Sequence, residues 1–298
     1  AIAKELGWRP SLAARALTGA RAHAIGLVLC RPARVLGMEP FLMELISGIE
    51  AELSARSYAL LLRVVSDHRA ELAVHRRWWG EGRVDGAFLV DLHVDDPRVP
   101  EIEMLGMPAV VIGHPSAAGS LVPVWSDDGA AVEETVAYLA ALGHRRIARV
   151  AGLPRLVHTV IRDRAFEETC RRLGVTERSI IHTDHTGTEG ARATRRLLSS
   201  PDRPTAIVYD NEIMAVAGLS VAQELRIDVP SELSIVAWDD SPLSQVVRPP
   251  LTGLTRDIPA YGAHAARRLL ELIDTGTAEP YEDEAPRLTP RGSTAPIG

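Results

Sequence analysis

Apolar residues follow two alternating rhythms along most of this chain. Compact, nearly continuous apolar runs occupy 25–30, 58–65, 86–91, 108–113, 122–125, 146–151, 180–183, 206–209 and 233–238. Runs of that length and density predict strands buried on both faces. Between them lie stretches with helical spacing: 41–54, 68–79, and one from the capping residues Ser126, Asp127 and Asp128 to Leu142 and Gly143. Further helices are expected around 164–173, over about a dozen residues before Pro201, over 212–225 and around 260–273. A short Pro-bounded segment follows the third run, and a long Pro-rich crossing follows the last. Alternation of this kind predicts parallel sheets with right-handed crossovers. It is too long for one sheet of ordinary size, so the expected fold is α/β with two Rossmann-like lobes.

The N-terminal end breaks the rhythm. Arg9-Pro10-Ser11-Leu12-Ala13-Ala14-Arg15-Ala16-Leu17, then Thr18-Gly19, reads as a helix opening at Pro10 and Ser11 and stopping at Gly19. Two turns are not stable alone, so this helix needs a partner. Leucine can wedge into a minor-groove base step while flanking arginines sit on phosphates. On these residues alone a solvated helical linker is equally open.

Composition narrows the choices. The 298 residues suit two lobes, and 46% hydrophobic content suits globular cores. A net charge of −6 argues against a body that coats nucleic acid, so any DNA contact is local to the basic N-terminal end. No apolar run approaches membrane-spanning length, and no secretion-type leader pattern is evident. Cys30 and Cys170 lie far apart in apolar contexts, which fits a reducing cytoplasm and neither a disulfide nor a zinc site. Lys4 is the sole lysine, so the body lacks a P-loop or Schiff-base lysine. GxSxG and HExxH motifs are also missing.

Several motifs together carry a family resemblance. Leu6-Gly7-Trp8-Arg9-Pro10 leads into the helix just described, and Leu142-Gly143-His144-Arg145-Arg146-Ile147 follows mid-chain. Val229-Pro230-Ser231-Glu232-Leu233-Ser234-Ile235-Val236, Trp238-Asp239-Asp240, Pro249-Pro250-Leu251-Thr252 and Arg291-Gly292-Ser293-Thr294 complete the set. In this order they resemble the lactose-repressor-type (LacI/GalR) transcription regulators, with Trp8 and Trp238 replacing the usual Tyr and Phe. The resemblance implies a sensor of type I periplasmic-binding-protein architecture with interlobe crossings near 125–126, 251–257 and 280–288. Residues 1–8 would be the remnant of a helix-turn-helix domain, and 9–24 a hinge helix and linker. The N-lobe would take 25–125 plus about 256–280, and the C-lobe 126–255 plus about 281–298. Leu17 matches the intercalating hinge leucine, with Ser11, Ala14 and Arg15 on the same DNA-facing helix.

The implied function is effector sensing by a cytoplasmic, homodimeric repressor that binds a sugar-like molecule between its lobes and operator DNA through the hinge. Effector and DNA would prefer different dimer states, which makes their coupling reciprocal. No enzymatic role, cofactor or metal is implied.

Candidate effector residues follow from strand ends, where α/β sheets bind ligands. Asp239 matches the family's ligand-contacting aspartate. Its carboxylate could accept bonds from vicinal hydroxyls or cap the next turn. Arg162 aligns with a family arginine, with Ala165 at the usual Gly; its planar fork of donors complements Asp239, although Arg164 competes and a surface ion pair is the plain alternative. Both Arg162 and Asp239 are read here as following strand ends, outside any apolar core run. Asn211 could bind a hydroxyl or start a helix, and Glu212 replaces the usual aspartate beside it. His185 stands where relatives place an aromatic under the ligand ring. The cluster His182-Thr183-Asp184-His185 has too few ligands for a metal. Arg256 could favour an acidic effector or pair with Asp257. Phe41 could close the cleft from the N-lobe, while Trp78, Trp79 and Trp125 read as packing residues.

Two rivals remain at this stage. A sugar-binding protein of a transport system shares the fold but has no DNA role. An enzyme acting on sugars would need Asp239 and Asp240, yet adjacent carboxylates on one strand end cannot flank a glycosidic bond.

Overall fold

The computed structural model describes residues 21–31 and 40–297. The hinge candidates Ser11, Ala14, Arg15 and Leu17, and the segments 1–8 and 9–20, lie outside the described residues. The chain builds two six-stranded sheets. The first contains β1 (Ala24–Cys30), β2 (Ala59–Val65), β3 (Gly86–Val90), β4 (Ala109–Ile112), β5 (Val122–Ser126) and β11 (Tyr281–Asp283) in the order β11-β5-β4-β3-β1-β2. The second contains β6 (Arg146–Ala151), β7 (Glu177–His182), β8 (Ala206–Tyr209), β9 (Ser234–Ala237), β10 (Thr252–Thr255) and β12 (Arg287–Thr289) in the order β12-β10-β9-β8-β6-β7. Pairing is parallel except between β10 and β12. The two halves thus repeat one strand order. Each has its topological switch point beside its first strand, between β1 and β3 and between β6 and β8.

Helices α1 (Pro40–Ala55), α2 (His68–Gly80), α3 (Arg98–Leu105) and α9 (Ile258–Thr275) accompany the first sheet. The second sheet carries α4 (Asp128–Ala141), α5 (Val157–Arg172), α6 (Gly187–Leu198), α7 (Glu212–Glu224) and the short α8 (Pro242–Val246). Helix starts follow local chemistry: Asp67, Asp127, Thr186, Asn211 and Asp257 each accept a hydrogen bond from an amide two or three positions inside their helix. Helices α1 and α9 cross in near backbone contact. A Cβ at Gly48 would lie 1.9 Å from the Pro259 carbonyl oxygen, and one at Gly262 would lie 2.3 Å from that of Leu45.

Departures from the expected elements have local causes. The Pro-bounded segment after β3 holds α3, and the Pro-rich crossing holds α8 and β10, because Pro100 and Pro242 stand in the first turns of α3 and α8, where the amide that proline lacks has no intrahelical partner. Helix α5 begins seven residues before the expected 164, at Val157. Strands β11 and β12 have three residues each, too short for a readable period. Tyr281–Asp283 pairs with β5, so these residues belong to the first sheet although the C-lobe was expected from 281. Three chain passages join the halves: from β5 to α4, from β10 to α9, and from β11 to β12.

Entry into β1 is anchored. The Asp85 carboxylate accepts the Ala22 and His23 amides at 2.8 and 2.7 Å, and Arg21 pairs with Asp274 and donates to the Ile273 carbonyl at 3.1 Å.

Candidate functional site

One cavity of about 160 Å³ lies between the halves, lined by strand ends of both. It gathers all six expected effector residues: Phe41, Arg162, His185, Asn211, Asp239 and Arg256. Asp91, His185 and Asp239, which follow β3, β7 and β9, all line it with left-handed backbone at φ of 52°, 67° and 66°. Such conformations cost of order 1–3 kcal/mol each and persist where the surroundings impose them.

Arg162 reaches the cavity differently from the strand-end expectation. It projects from the second turn of α5 and is 6% exposed. Its Nε donates to Asp128 at 2.8 Å, and its Nη1 lies 3.5 Å from Asp210. The guanidinium carbon stacks 3.5 Å from the centre of the Trp238 ring. Arg164, its competitor, is exposed and pairs with Glu168. Beneath Arg162, Asp210 accepts both Nη groups of the fully buried Arg149 at 2.7 and 2.9 Å and the Gly152 amide at 2.7 Å. Burial alone would raise the Asp210 pKa, but the charges of Arg149 and Arg162 and the Gly152 amide hold it at about 2.

Arg256 pairs with Asp239, at 3.1 Å from both Nε and Nη2 to one carboxylate oxygen, rather than with Asp257, which caps α9. Its guanidinium carbon also lies 4.8 Å from the Phe41 ring centre, and its Nη1 3.4 Å from the Ser126 hydroxyl. Arg31, a third cavity cation, pairs with Asp91 at 2.8 Å.

Asn211 lines the cavity and also starts a helix. Its amide oxygen caps α7 through the Met214 amide at 2.8 Å, and its Nδ2 donates to the His185 carbonyl at 2.9 Å. Glu212 points away to the Ser241 amide at 3.1 Å and the Ser244 hydroxyl at 3.4 Å; burial raises its pKa. His182 pairs with Asp163 and Asp184 with Thr186, so the histidine cluster diverges, and no grouping of three metal-type ligands occurs among the described residues. Trp78 is core and Trp79 bonds the Leu105 carbonyl, but Trp125 lines the cavity, contrary to a purely packing role.

Sequence reasoning passed over Arg31, Asp91, Asp128, His158, Asp210 and Tyr261, all of which line the cavity. Arg31, Asp91 and Asp210 directly follow β1, β3 and β8, and the strand-end rule applied to every strand would have found them. Asp128, His158 and Tyr261 sit on helices and carry no such signal. His158 is stripped of water and lies near the Arg162 charge, which brings its pKa down to about 3; burial likewise lowers that of His185. Two buried polar atoms in the lining, His185 Nδ1 and Trp238 Nε1, have no hydrogen-bond partner.

The halves also meet through backbone. Val157 N donates to Leu92 O and Val94 N to Arg155 O, each at 2.9 Å, around an antiparallel bridge between His93 and Leu156. In strand order this clasp lies two strands from β5 and three from β10, across the cavity from the chain passages. Its N-lobe loop is held from beneath by Arg98, which donates to the Asp91 carbonyl at 2.9 Å and pairs with buried Glu71 and Asp96 at 2.7 Å each.

A family of periplasmic binding protein-like domains matches residues 136–294. The HTH-type transcriptional regulator CelR of Thermobifida fusca is 30% identical over 286 residues, covering 93% of this chain and 82% of that one. A LacI family transcriptional regulator from Bifidobacterium animalis subsp. lactis superposes with a TM-score of 0.86 at 40% identity, over 94% of this chain and all of that one. A CelR–cellobiose complex superposes with a TM-score of 0.84 at 27% identity, over 98% of this chain and 88% of that one. With two α/β halves of one strand order closing on a shared cavity, this chain belongs to the LacI/GalR family of transcription regulators, and its described residues form the sensor domain.

Proposed function

We propose that the chain is the effector-sensing part of a repressor that takes a sugar-like molecule into the interlobe cavity and passes its presence to operator DNA. The observation that carries this reading is the pair of buried, unpartnered groups, His185 Nδ1 and Trp238 Nε1, in a cavity framed by guanidinium–carboxylate pairs and aromatic rings. An unpaired buried donor is costly, and hydroxyls of a polyol would satisfy it while a sugar ring face meets Phe41, Trp125 or Tyr261. A regulator of similar fold binds a disaccharide, which supports the same class here.

Coupling would run through the anchored start of β1. Effector bound between the halves changes their spacing, and Asp85 and Asp274 tie the chain leading from the hinge to the first half. A second copy of the chain supplies the second hinge that a two-fold operator requires, and the protein acts in the cytoplasm beside its DNA. No helix among the described residues is long and apolar enough to cross a membrane. The relatives are transcription regulators, which favours this reading over a transport protein or an enzyme.

A thermal-shift screen of mono- and disaccharides tests the effector class, because a ligand of the native state raises the melting temperature with its concentration. A saccharide that raises it dose-dependently and alters operator binding of the full-length protein supports the proposal. A screen in which no saccharide shifts the transition rejects a sugar effector.

A further inference from the structure

Resting on the reading of the cavity as the effector site, the geometry points to a narrower ligand class: we propose that this site selects an uncharged, hydroxyl-rich effector, and that Asp239 enforces the selection by neutralising Arg256. Arginine in a ligand cleft ordinarily invites carboxylate or phosphate, since its fork matches their oxygens. Here each arginine among the described lining residues is already engaged. Arg31 is paired with Asp91 at 2.8 Å, Arg162 with Asp128 at 2.7 Å, and Arg256 with Asp239 at 3.1 Å. Three arginines stand among five lining carboxylates, and Asp210 is held ionised by Arg149 behind the wall. Three histidines line the cavity. Burial keeps His158 and His185 neutral at neutral pH, and His114 shares a hydrogen bond with the Ser116 hydroxyl at 2.9 Å.

Among the described residues, an anion entering this cavity meets no uncommitted cation. To gain a guanidinium it would have to displace a carboxylate of the protein and leave that carboxylate in a desolvated wall. A hydroxyl makes no such demand. It can donate to the free lone pairs of Asp239 or Asp91 and accept from an arginine N–H while the ion pair stays closed. The unpartnered groups are neutral as well: Trp238 Nε1 can only donate, and the His185 imidazole can donate or accept.

Among the three pairs, Arg256–Asp239 is the discriminating one. Arg162 is braced on two carboxylates and stacked on Trp238, so removing one partner leaves it engaged. Arg256 has one carboxylate partner, and its other contacts are Ser126 and aromatic faces. Taking the charge off Asp239 therefore uncovers a cation in the cavity.

Titration calorimetry of the full chain with inorganic phosphate at fixed ionic strength tests this. The wild type is expected to show no saturable binding up to millimolar phosphate. Asp239→Asn is expected to bind phosphate at least tenfold more tightly than wild type, and Asp239→Asn combined with Arg256→Gln to lose that gain. Asparagine tolerates the left-handed backbone of position 239 (φ 66°); Asp239→Gly, which also tolerates it, serves as the second variant should the first fail to fold. Saturable phosphate binding by the wild type would overturn the proposal. So would the absence of any gain in the Asp239 variants, or a gain that survives Arg256→Gln. Failure of the saccharide screen with this phosphate pattern intact would reject the sugar class alone and leave the charge selection standing.

Discussion

A Cβ at Gly152 would lie 2.0 Å from the Nε2 atom of His185, so the imidazole occupies space that only glycine leaves open. The Gly152 amide also donates to Asp210 at 2.7 Å, fixing that backbone in place. Gly152→Ala should therefore push His185 out of its seat. Overpacking of this sort costs about 1–3 kcal/mol. Affinity for the saccharide found by the thermal-shift screen should fall at least tenfold, with the His185 ring signal displaced in NMR spectra. An unmoved ring signal and unchanged affinity would show that His185 has another way to sit.

Arg162 and Asp239 should differ in what their loss does. Charge-assisted hydrogen bonds contribute about 1.5–3 kcal/mol each, so alanine at either position should weaken effector binding roughly ten- to a hundredfold. Their effects on folding should separate. Arg162 is buried between Asp128 and Asp210, and breaking a buried pair costs about 3–5 kcal/mol. Its loss should fall at the lower end, since Asp210 keeps Arg149. Urea denaturation in which Arg162→Ala and Asp239→Ala are equally stable would contradict this.

The clasp can be cut without touching the cavity's charges. Val157 is the first residue of α5, a position where proline is tolerated, and Leu156 before it already has the extended backbone that proline requires. Val157→Pro removes the amide that donates to Leu92 O across the cleft. Hydrogen exchange at the Val94 amide, the partner bond of the clasp, should speed up severalfold while the sheet cores keep their protection. Unchanged exchange at Val94 would mean that the bridge holds without Val157.

Acid should destabilise the sensor partly through His158. Its folded pKa of about 3 lies below the ordinary histidine value near 6.5. Below pH 6.5 the unfolded chain takes up a proton that the folded one refuses, so stability present at neutral pH is lost as the pH falls from 6.5 toward 3. His158→Gln should melt with a smaller difference between pH 7.5 and pH 5.0 than the wild type. An equal difference in the two proteins would assign the acid sensitivity elsewhere.

Periodicity alone determined most of the scaffold. The nine apolar runs are β1–β9 within a few residues, because a central strand buried on both faces must be apolar throughout whatever it packs against. The edge strands β2 and β7 have no fully buried residue, and only the end of β7 shows an apolar run. The strand-end rule likewise reached Asp239 from sequence, and the family resemblance reached His185. Which side chains meet was decided only by the tertiary structure. Arg256 could have paired with its neighbour Asp257, but a carboxylate caps the helix it begins and is thereby spent, leaving Asp239, 17 positions away, as the partner. Arg162 enters the cavity because α5 starts early and packs across the cleft, while Asn211 lines the cavity and also caps α7, whose first amides need an acceptor. Asp128, His158 and Tyr261 could not be picked out, since a polar residue on a helix carries no mark of what faces it until two halves of the chain close on one another. Local pattern depends on burial, which sequence records residue by residue. Pairing of charges depends on distances between segments far apart in the chain, which only folding sets.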